Sequence, residues 1–161
     1  MARFSETQSV AVFCPTSNLF IGSGLFDWAK TARKDRPVEI ALATDVGGGT
    51  SYSMLQTAAE AYKILQLHGQ SLSPLKAFYT MTLGNAKALQ LEDKIGSFAL
   101  GSEADFIVLD AHATPAMAHR MQRAQNLWEE LFILMTMGDD RAVKATYVMG
   151  ERHSALREHN L

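Results

Sequence analysis

Short apolar runs alternate with helical patterns in the first half of the chain. Residues Ser9–Cys14 (SVAVFC) and Pro37–Ala43 (PVEIALA) are rich in valine, isoleucine or phenylalanine and adjoin prolines, which predicts two short buried strands. Between them, Pro15–Gly24 is predicted to be a long turn-rich connection and Leu25–Lys34 a helix. Residues 52–67 place apolar side chains at helical spacing and predict another helix.

Capping residues mark the starts of two helices. Thr50 and Ser51 precede the helix predicted over residues 52–67 and are available as N-caps. Ser73 followed by Pro74 is typical of a helix start, because a hydroxyl caps the first turn and proline lacks the amide that would stay unpaired there. The stretch PLKAFYTMTLGNAKALQL therefore predicts one further helix.

The pattern changes after residue 92. Turn glycines lead to an apolar strand over Ala104–Leu109, a long helix is predicted from about Pro115 to Met137, and a last strand covers Val143–Met149. We expect four apolar side chains of that long helix to face inward: Leu127, Leu131, Leu134 and Met135.

The order of elements favours an α/β fold with a parallel sheet in the first half. Two successive strand–helix units usually place their strands side by side in the same direction. Two parallel strands cannot close a barrel, which needs eight strands and about 250 residues. We therefore expect the first half to be part of a larger structure.

Composition excludes several classes of protein. The 161 residues include 47% hydrophobic and 20% charged residues, which suits one packed domain, and the net charge of -2 shows no basic face for nucleic acid. The longest apolar stretch, Leu131–Met135, is too short to span a membrane, and the polar start of the chain does not resemble a signal peptide, so a cytoplasmic protein is predicted. The single cysteine, Cys14, excludes an internal disulfide and is predicted to be a small buried apolar residue.

The loop DVGGGT, which starts at Asp45, is the most distinctive local motif. A glycine-rich turn between a strand and a helix can hold phosphate, but the pattern GxxxxGK[ST] is absent. DVGGGT is similar to the phosphate loop of actin-like and heat-shock ATPases, whose loop joins two strands, whereas a helical pattern follows here. A phosphate-binding nucleotide module therefore remains an alternative, as does an Asp45 that only caps the helix or starts the turn.

Three segments together resemble a known superfamily. CPTSNLFIGSG, ALATDVGGGTSYSML and LSPLKAFYTMTLGNAKALQLEDKIGSFALGSEADFIVLD resemble the C-terminal part of the zinc-dependent amidohydrolases. TDVGGGTSYSML and the ending LFILMTMGDDRAVKATYVMGERH are most similar to the guanine deaminases within that superfamily. The resemblance extends from about Phe4 to His153.

The resemblance implies a fold, a reaction and a site. Residues 1–92 would form strands seven and eight of a (β/α)8 barrel with their helices, and residues 93–161 a C-terminal segment with strands of the flanking small β-sandwich and a long helix. Asp45 matches the strand-eight aspartate, a zinc ligand and catalytic residue, while Asn18 and Gly47 would lie at the rim of the substrate pocket. Zinc-activated hydroxide would convert guanine and water to xanthine and ammonia.

The other zinc ligands of that family have no counterpart in this chain. No HxH occurs, and every histidine follows Asp45: His68, His112, His119, His153 and His159. We therefore expect the isolated chain to be inactive and to require either a missing N-terminal segment or a homo-oligomer. The alternative is a non-catalytic interaction remnant of an amidohydrolase. Asn18 could instead tie down its own turn, and Asp105 is predicted to be a structural turn residue.

Overall fold

The computed structural model describes residues 2–35 and 38–153, and it has an α/β fold. The helices and strands run in the order α1 (Ala2–Glu6), β1 (Val10–Phe13), α2 (Pro15–Phe20), α3 (Trp28–Thr31), β2 (Glu39–Leu42), α4 (Met54–Leu67), α5 (Pro74–Tyr79), a π-helical segment (Thr80–Gly84), α6 (Asn85–Ala88), β3 (Phe106–Leu109), α7 (Pro115–Met121), α8 (Leu127–Met137), a 3-10 turn (Asp140–Ala142), β4 (Val143–Val148) and β5 (Glu151–His153).

The two predicted strands of the first half are confirmed, and they are parallel. β1 pairs with β2 in a register that joins Val10 to Glu39 and Phe13 to Leu42. The predicted strand start at Pro37 lies outside the described residues. Both strands end at the same edge of the sheet, so the segments that follow them are brought together.

Helix α4 is confirmed, but it starts later than predicted. Its N-cap is Ser53, whose hydroxyl accepts a hydrogen bond from the Gln56 amide, so the predicted caps Thr50 and Ser51 are wrong. Ser51 instead accepts a hydrogen bond from the Ser53 amide at 3.0 Å. Since residues 54–67 are helical, they do not form the second strand that the ATPase-like phosphate loop requires.

The connection predicted over Pro15–Gly24 is wrong in its first half, because α2 occupies residues 15–20. Pro15 at the first helical position suits a helix start, since its missing amide would have no partner there. The helix predicted over Leu25–Lys34 is a single turn, α3, capped by the Asp27 side chain. Sequence pattern alone could not distinguish a short helix from a turn here.

The helix predicted after Ser73 is interrupted by a wider turn. Ser73 caps α5 as expected, and its hydroxyl accepts a hydrogen bond from the Lys76 amide. A π-helical segment then separates α5 from α6. Within this region the Thr80 and Thr82 hydroxyls each donate at 2.7 Å to carbonyls four residues earlier, the type of contact that competes with helical hydrogen bonding.

The long helix predicted over residues 115–137 is two helices. Asn126 caps α8 by accepting from the Glu129 amide at 3.1 Å, and the Glu129 carboxylate accepts from the Gln125 amide at 2.8 Å. This arrangement is similar to a capping box, except that the glutamate accepts from the amide before the cap, and it marks the start of a new helix at Leu127. Leu134 and Met135 are buried as predicted, and Leu131 is half-buried. The prediction that Leu127 faces inward is wrong, because this first residue of α8 is exposed.

The second sheet is antiparallel, in the order β3, β4, β5. The hairpin between β4 and β5 turns at Met149 and Gly150, which both have positive φ angles, as a two-residue type I′ turn requires. The Asp105 carboxylate accepts a hydrogen bond from the Met149 amide at 2.7 Å, which confirms its structural role. The short strand β5 was not predicted.

Two groups of buried side chains form the core. One contains Phe13, Leu42 and Ile64 together with Met135 of α8, and the other contains Leu55 of α4 together with residues of α7 and α8. Each group combines residues from both sides of residue 92, and a domain boundary at that residue stays a prediction.

The substitution Ile64→Ala is expected to lower the free energy of unfolding by about 2–5 kcal/mol, since the side chain is 1% exposed and its removal leaves a cavity. Leu67→Ala in the same helix is the control, because Leu67 is 72% exposed and its loss should cost about 0.5 kcal/mol or less. Urea unfolding measures both values. Equal losses would contradict the assignment of the core.

Candidate functional site

Asp45 lies beyond the end of β2, at the sheet edge where β1 also ends. Its φ angle is +55°, a left-handed conformation that aspartate adopts more readily than most residues. The residue is exposed. A carboxylate therefore stands at the carboxyl end of two parallel strands, the position where α/β proteins place ligand-binding groups.

Ser17 of α2 holds one oxygen of this carboxylate. Its hydroxyl donates a hydrogen bond to Asp45 Oδ2 at 2.6 Å, and the serine is only 1% exposed. Among the described residues no hydrogen bond reaches Asp45 Oδ1, so that oxygen is available to a ligand. Sequence analysis did not identify Ser17; the only signal was a hydroxyl residue shortly after the other parallel strand.

The glycines shape the turn behind the carboxylate. The Asp45 carbonyl accepts hydrogen bonds from the amides of Gly48 at 3.0 Å and Gly49 at 2.6 Å. A Cβ atom on Gly48 would lie 2.9 Å from both Asp45 Oδ2 and the Ser17 hydroxyl, and one on Gly49 would lie 1.8 Å from the Thr44 carbonyl. The turn therefore requires glycine at position 49, whereas a side chain at position 48 would displace the Asp45 and Ser17 side chains from their contact.

The substitution Gly49→Ala is expected to destabilise the protein more than Gly47→Ala. At Gly49 the new methyl group meets backbone and displaces the turn, whereas at Gly47 it meets open space and adds only the strain of a positive φ, about 1–3 kcal/mol. Thermal unfolding of the two variants side by side tests the order. A smaller loss for Gly49→Ala would mean that the turn adopts another conformation.

The two residues predicted at the pocket rim differ in their surroundings. The Asn18 amide donates to the Ser23 hydroxyl at 3.1 Å, and the Ser23 amide donates to the Asn18 carbonyl at 3.0 Å, so Asn18 ties down its own turn. Gly47 is exposed, with a φ of +103°. Their contact with substrate stays a prediction.

Cys14 is half-buried at the end of β1. Burial raises the pKa of its thiol, and the negative charge of Asp45 raises that pKa further. The thiol therefore stays protonated at neutral pH and does not suit a nucleophile. The prediction of a buried residue is confirmed only in part, because the side chain is half-buried.

Asp45 offers a single metal ligand. In the part of the chain that the structure describes, no three histidine, cysteine, aspartate or glutamate side chains come together as a metal site. The four described histidines are exposed: His68, His112, His119 and His153. His159 lies outside the described residues.

No helix within residues 2–35 and 38–153 combines the length and apolar character needed to cross a bilayer.

Comparison with known proteins finds relatives similar in sequence and in fold. The chain is 51% identical over 148 residues to guanine deaminase of Escherichia coli (strain K12), which covers 92% of this chain and 33% of that protein. A solved structure of E. coli guanine deaminase superposes on the chain with a TM-score of 0.90 and 49% identity. The match covers 95% of this chain and 35% of the chain in that structure. Guanine deaminase from C. acetobutylicum, solved with guanine bound in its active site, matches with a TM-score of 0.76 and 26% identity over 92% of this chain and 35% of its own.

The chain thus spans about a third of the length of the relatives that it matches. Its residues 2–152 match the model of the amidohydrolase family. This match covers nearly the whole chain, so the chain belongs to the amidohydrolase family.

Proposed function

We propose that this chain is the C-terminal part of a guanine deaminase and that Asp45 is its contribution to the zinc site. The observation that carries the proposal is the Asp45 carboxylate at the end of β2, with Oδ2 fixed by Ser17 and Oδ1 available. Guanine is the substrate that fits, because related guanine deaminases match most of the chain and one of them was solved with guanine bound.

The proposal assigns separate tasks to the two carboxylate oxygens. Asp45 fits a zinc site as one ligand, through Oδ1; the described residues do not supply the rest. Zinc, when bound, lowers the pKa of water to about 7 and so supplies hydroxide for attack on the ring carbon that bears the amino group. Asp45 Oδ2 retains a lone pair beyond the one used by Ser17 and can accept the proton of the attacking water.

The same proposal places the two parts of the chain in a larger fold. Strands β1 and β2 would be strands seven and eight of a (β/α)8 barrel, and β3, β4 and β5 would belong to the flanking β-sandwich. The parallel pairing of β1 with β2 and the antiparallel second sheet support this arrangement. The remaining zinc ligands would come from an N-terminal barrel segment or from another copy of the complete protein.

A chimera tests the proposal. In the chimera this chain replaces the matching third of the E. coli enzyme, to which it is 51% identical. We expect the purified chimera to retain zinc and to form xanthine from guanine, and the isolated 161-residue chain to do neither, because a catalytic zinc site usually needs three protein ligands. A correctly folded chimera without zinc or activity would favour the non-catalytic alternative.

A further inference from the structure

The outer edge of β2 is closed by a side chain. The Leu42 amide donates to Asn85 Oδ1 at 3.0 Å, and Asn85 Nδ2 donates to the Leu42 carbonyl at 2.8 Å. The next amide along the chain, that of Ala43, points the other way and donates to the Phe13 carbonyl of β1 at 3.1 Å. The Asn85 side chain therefore pairs with Leu42 as the peptide group of a neighbouring strand would.

The π-helical segment brings Asn85 to this position. Asn85 is the first residue of α6, directly after the wide turn of residues 80–84. A Cβ atom on Gly84 would lie 3.0 Å from the Tyr79 carbonyl, so the segment is packed tightly around a glycine. π-Helical turns are uncommon and frequently occur at functional sites.

The two hydrogen bonds of Asn85 act close to the candidate catalytic residue. Leu42 is 1% exposed, so without Asn85 its amide and carbonyl would lie unpaired next to the core. Only Ala43 and Thr44 separate Leu42 from Asp45, whose own contacts to Ser17 come from the β1 side. Hydrogen bonds thus hold the end of β2 from both sides, and those on the side away from β1 come from Asn85.

We propose that Asn85 is a positioning residue for Asp45, acting through Leu42 to fix the strand end from which the aspartate and its turn project. The consequence for zinc rests on the proposed function, whereas the effect on the turn does not. Residues that orient a metal ligand from behind typically change metal affinity when they are replaced.

Hydrogen exchange of the 161-residue chain, resolved to single amides by mass spectrometry, tests the proposal. Asn85→Leu should accelerate exchange of the Leu42 amide, and also of the Gly49 amide, which is bonded to the Asp45 carbonyl, by about tenfold or more. Asn85→Asp retains the acceptor for the Leu42 amide and loses the donor, so it should give a smaller acceleration at both amides.

Gln70→Leu is the matched control. The Gln70 side chain also makes two long-range hydrogen bonds: it accepts from the Ala29 amide at 3.0 Å and donates to the Asp27 carboxylate at 2.8 Å, and neither bond is to β2. In this variant the exchange rates of the Leu42 and Gly49 amides should stay within about twofold of their rates in the unchanged chain. Acceleration at Leu42 alone, or equal acceleration at Gly49 in both leucine variants, would overturn the proposal.

A second measurement uses the zinc-loaded chimera. Asn85→Leu should speed the transfer of zinc to a chelator by about tenfold or more, whereas Gln70→Leu should not. Equal transfer rates in the two variants would overturn the link from Asn85 to the metal ligand. If instead the zinc content does not depend on Asp45, the proposed function fails, and the exchange result at Gly49 still decides whether Asn85 positions the turn.

Discussion

Asp45→Asn in the chimera is expected to abolish stoichiometric zinc binding and to lower the rate of guanine deamination by about 1,000-fold or more. Asparagine has the same shape and can still accept the hydrogen bond from Ser17, which donates to Asp45 Oδ2 at 2.6 Å. The substitution therefore removes the negative charge and the proton acceptor while it leaves the turn in place. Metal analysis and xanthine formation measure the two effects.

The control is Asp93→Asn, which removes the same charge from an exposed aspartate in a loop after α6. This variant should keep both zinc and activity, because a surface substitution away from special contacts usually changes stability by about 0.5 kcal/mol or less. Unchanged zinc content and rate in Asp45→Asn would assign the metal to other residues and would withdraw the catalytic role of Asp45.

The position of Asp45 could be predicted because its signals are local. Three signals lie within about thirty residues of sequence: an apolar run with valine and isoleucine that begins at a proline, a glycine triplet, and apolar residues at helical spacing. The resemblance to amidohydrolases then gave the aspartate a chemical role that an isolated Asp-x-Gly would not have. The parallel pairing of β1 with β2 followed from the alternation of strands and helices.

The side chains that bond Asp45 and the end of β2 could not be predicted, because they come from distant parts of the chain. Ser17 lies 28 residues before Asp45, and Asn85 lies 43 residues after Leu42. No periodicity links such positions, and serine or asparagine near a helix start is most simply a cap. The π-helical segment was also missed, since its residues continue the helical pattern and only the packing around Gly84 reveals the wider turn.

The ends of helices were also predicted only in part from the sequence. The cap formed by Asn126 begins a second helix within the stretch predicted as one helix. Its pattern, a capping residue followed by an acidic residue three positions later, is visible in the sequence. The continuous apolar spacing outweighed that signal. The exposed side chain of Leu127 follows from its place directly after the cap.

The first sheet presents an unpaired edge. Among the described residues β1 pairs with β2 alone, so the other side of β1 offers backbone amides and carbonyls without a strand partner. Val12 on this strand is 52% exposed, and the end of α2 and the residue after it add large exposed apolar side chains: Leu19, Phe20 and Ile21. Open edges with an apolar surround recruit another strand or aggregate.

We therefore expect the isolated 161-residue chain to self-associate at micromolar concentration through the edge of β1. Val12→Lys should shift the chain toward monomer, since a charged side chain on an edge strand opposes pairing with a second copy. Ile107→Lys on β3 is the matched control, because Ile107 is 51% exposed on the other sheet. Sedimentation velocity of the three proteins measures the effect. Dissociation by Ile107→Lys alone would assign the contact to the second sheet. If the unchanged chain is instead a compact monomer whose β1 amides are strongly protected from exchange, then it closes its own fold. That result would contradict its proposed place in a larger barrel.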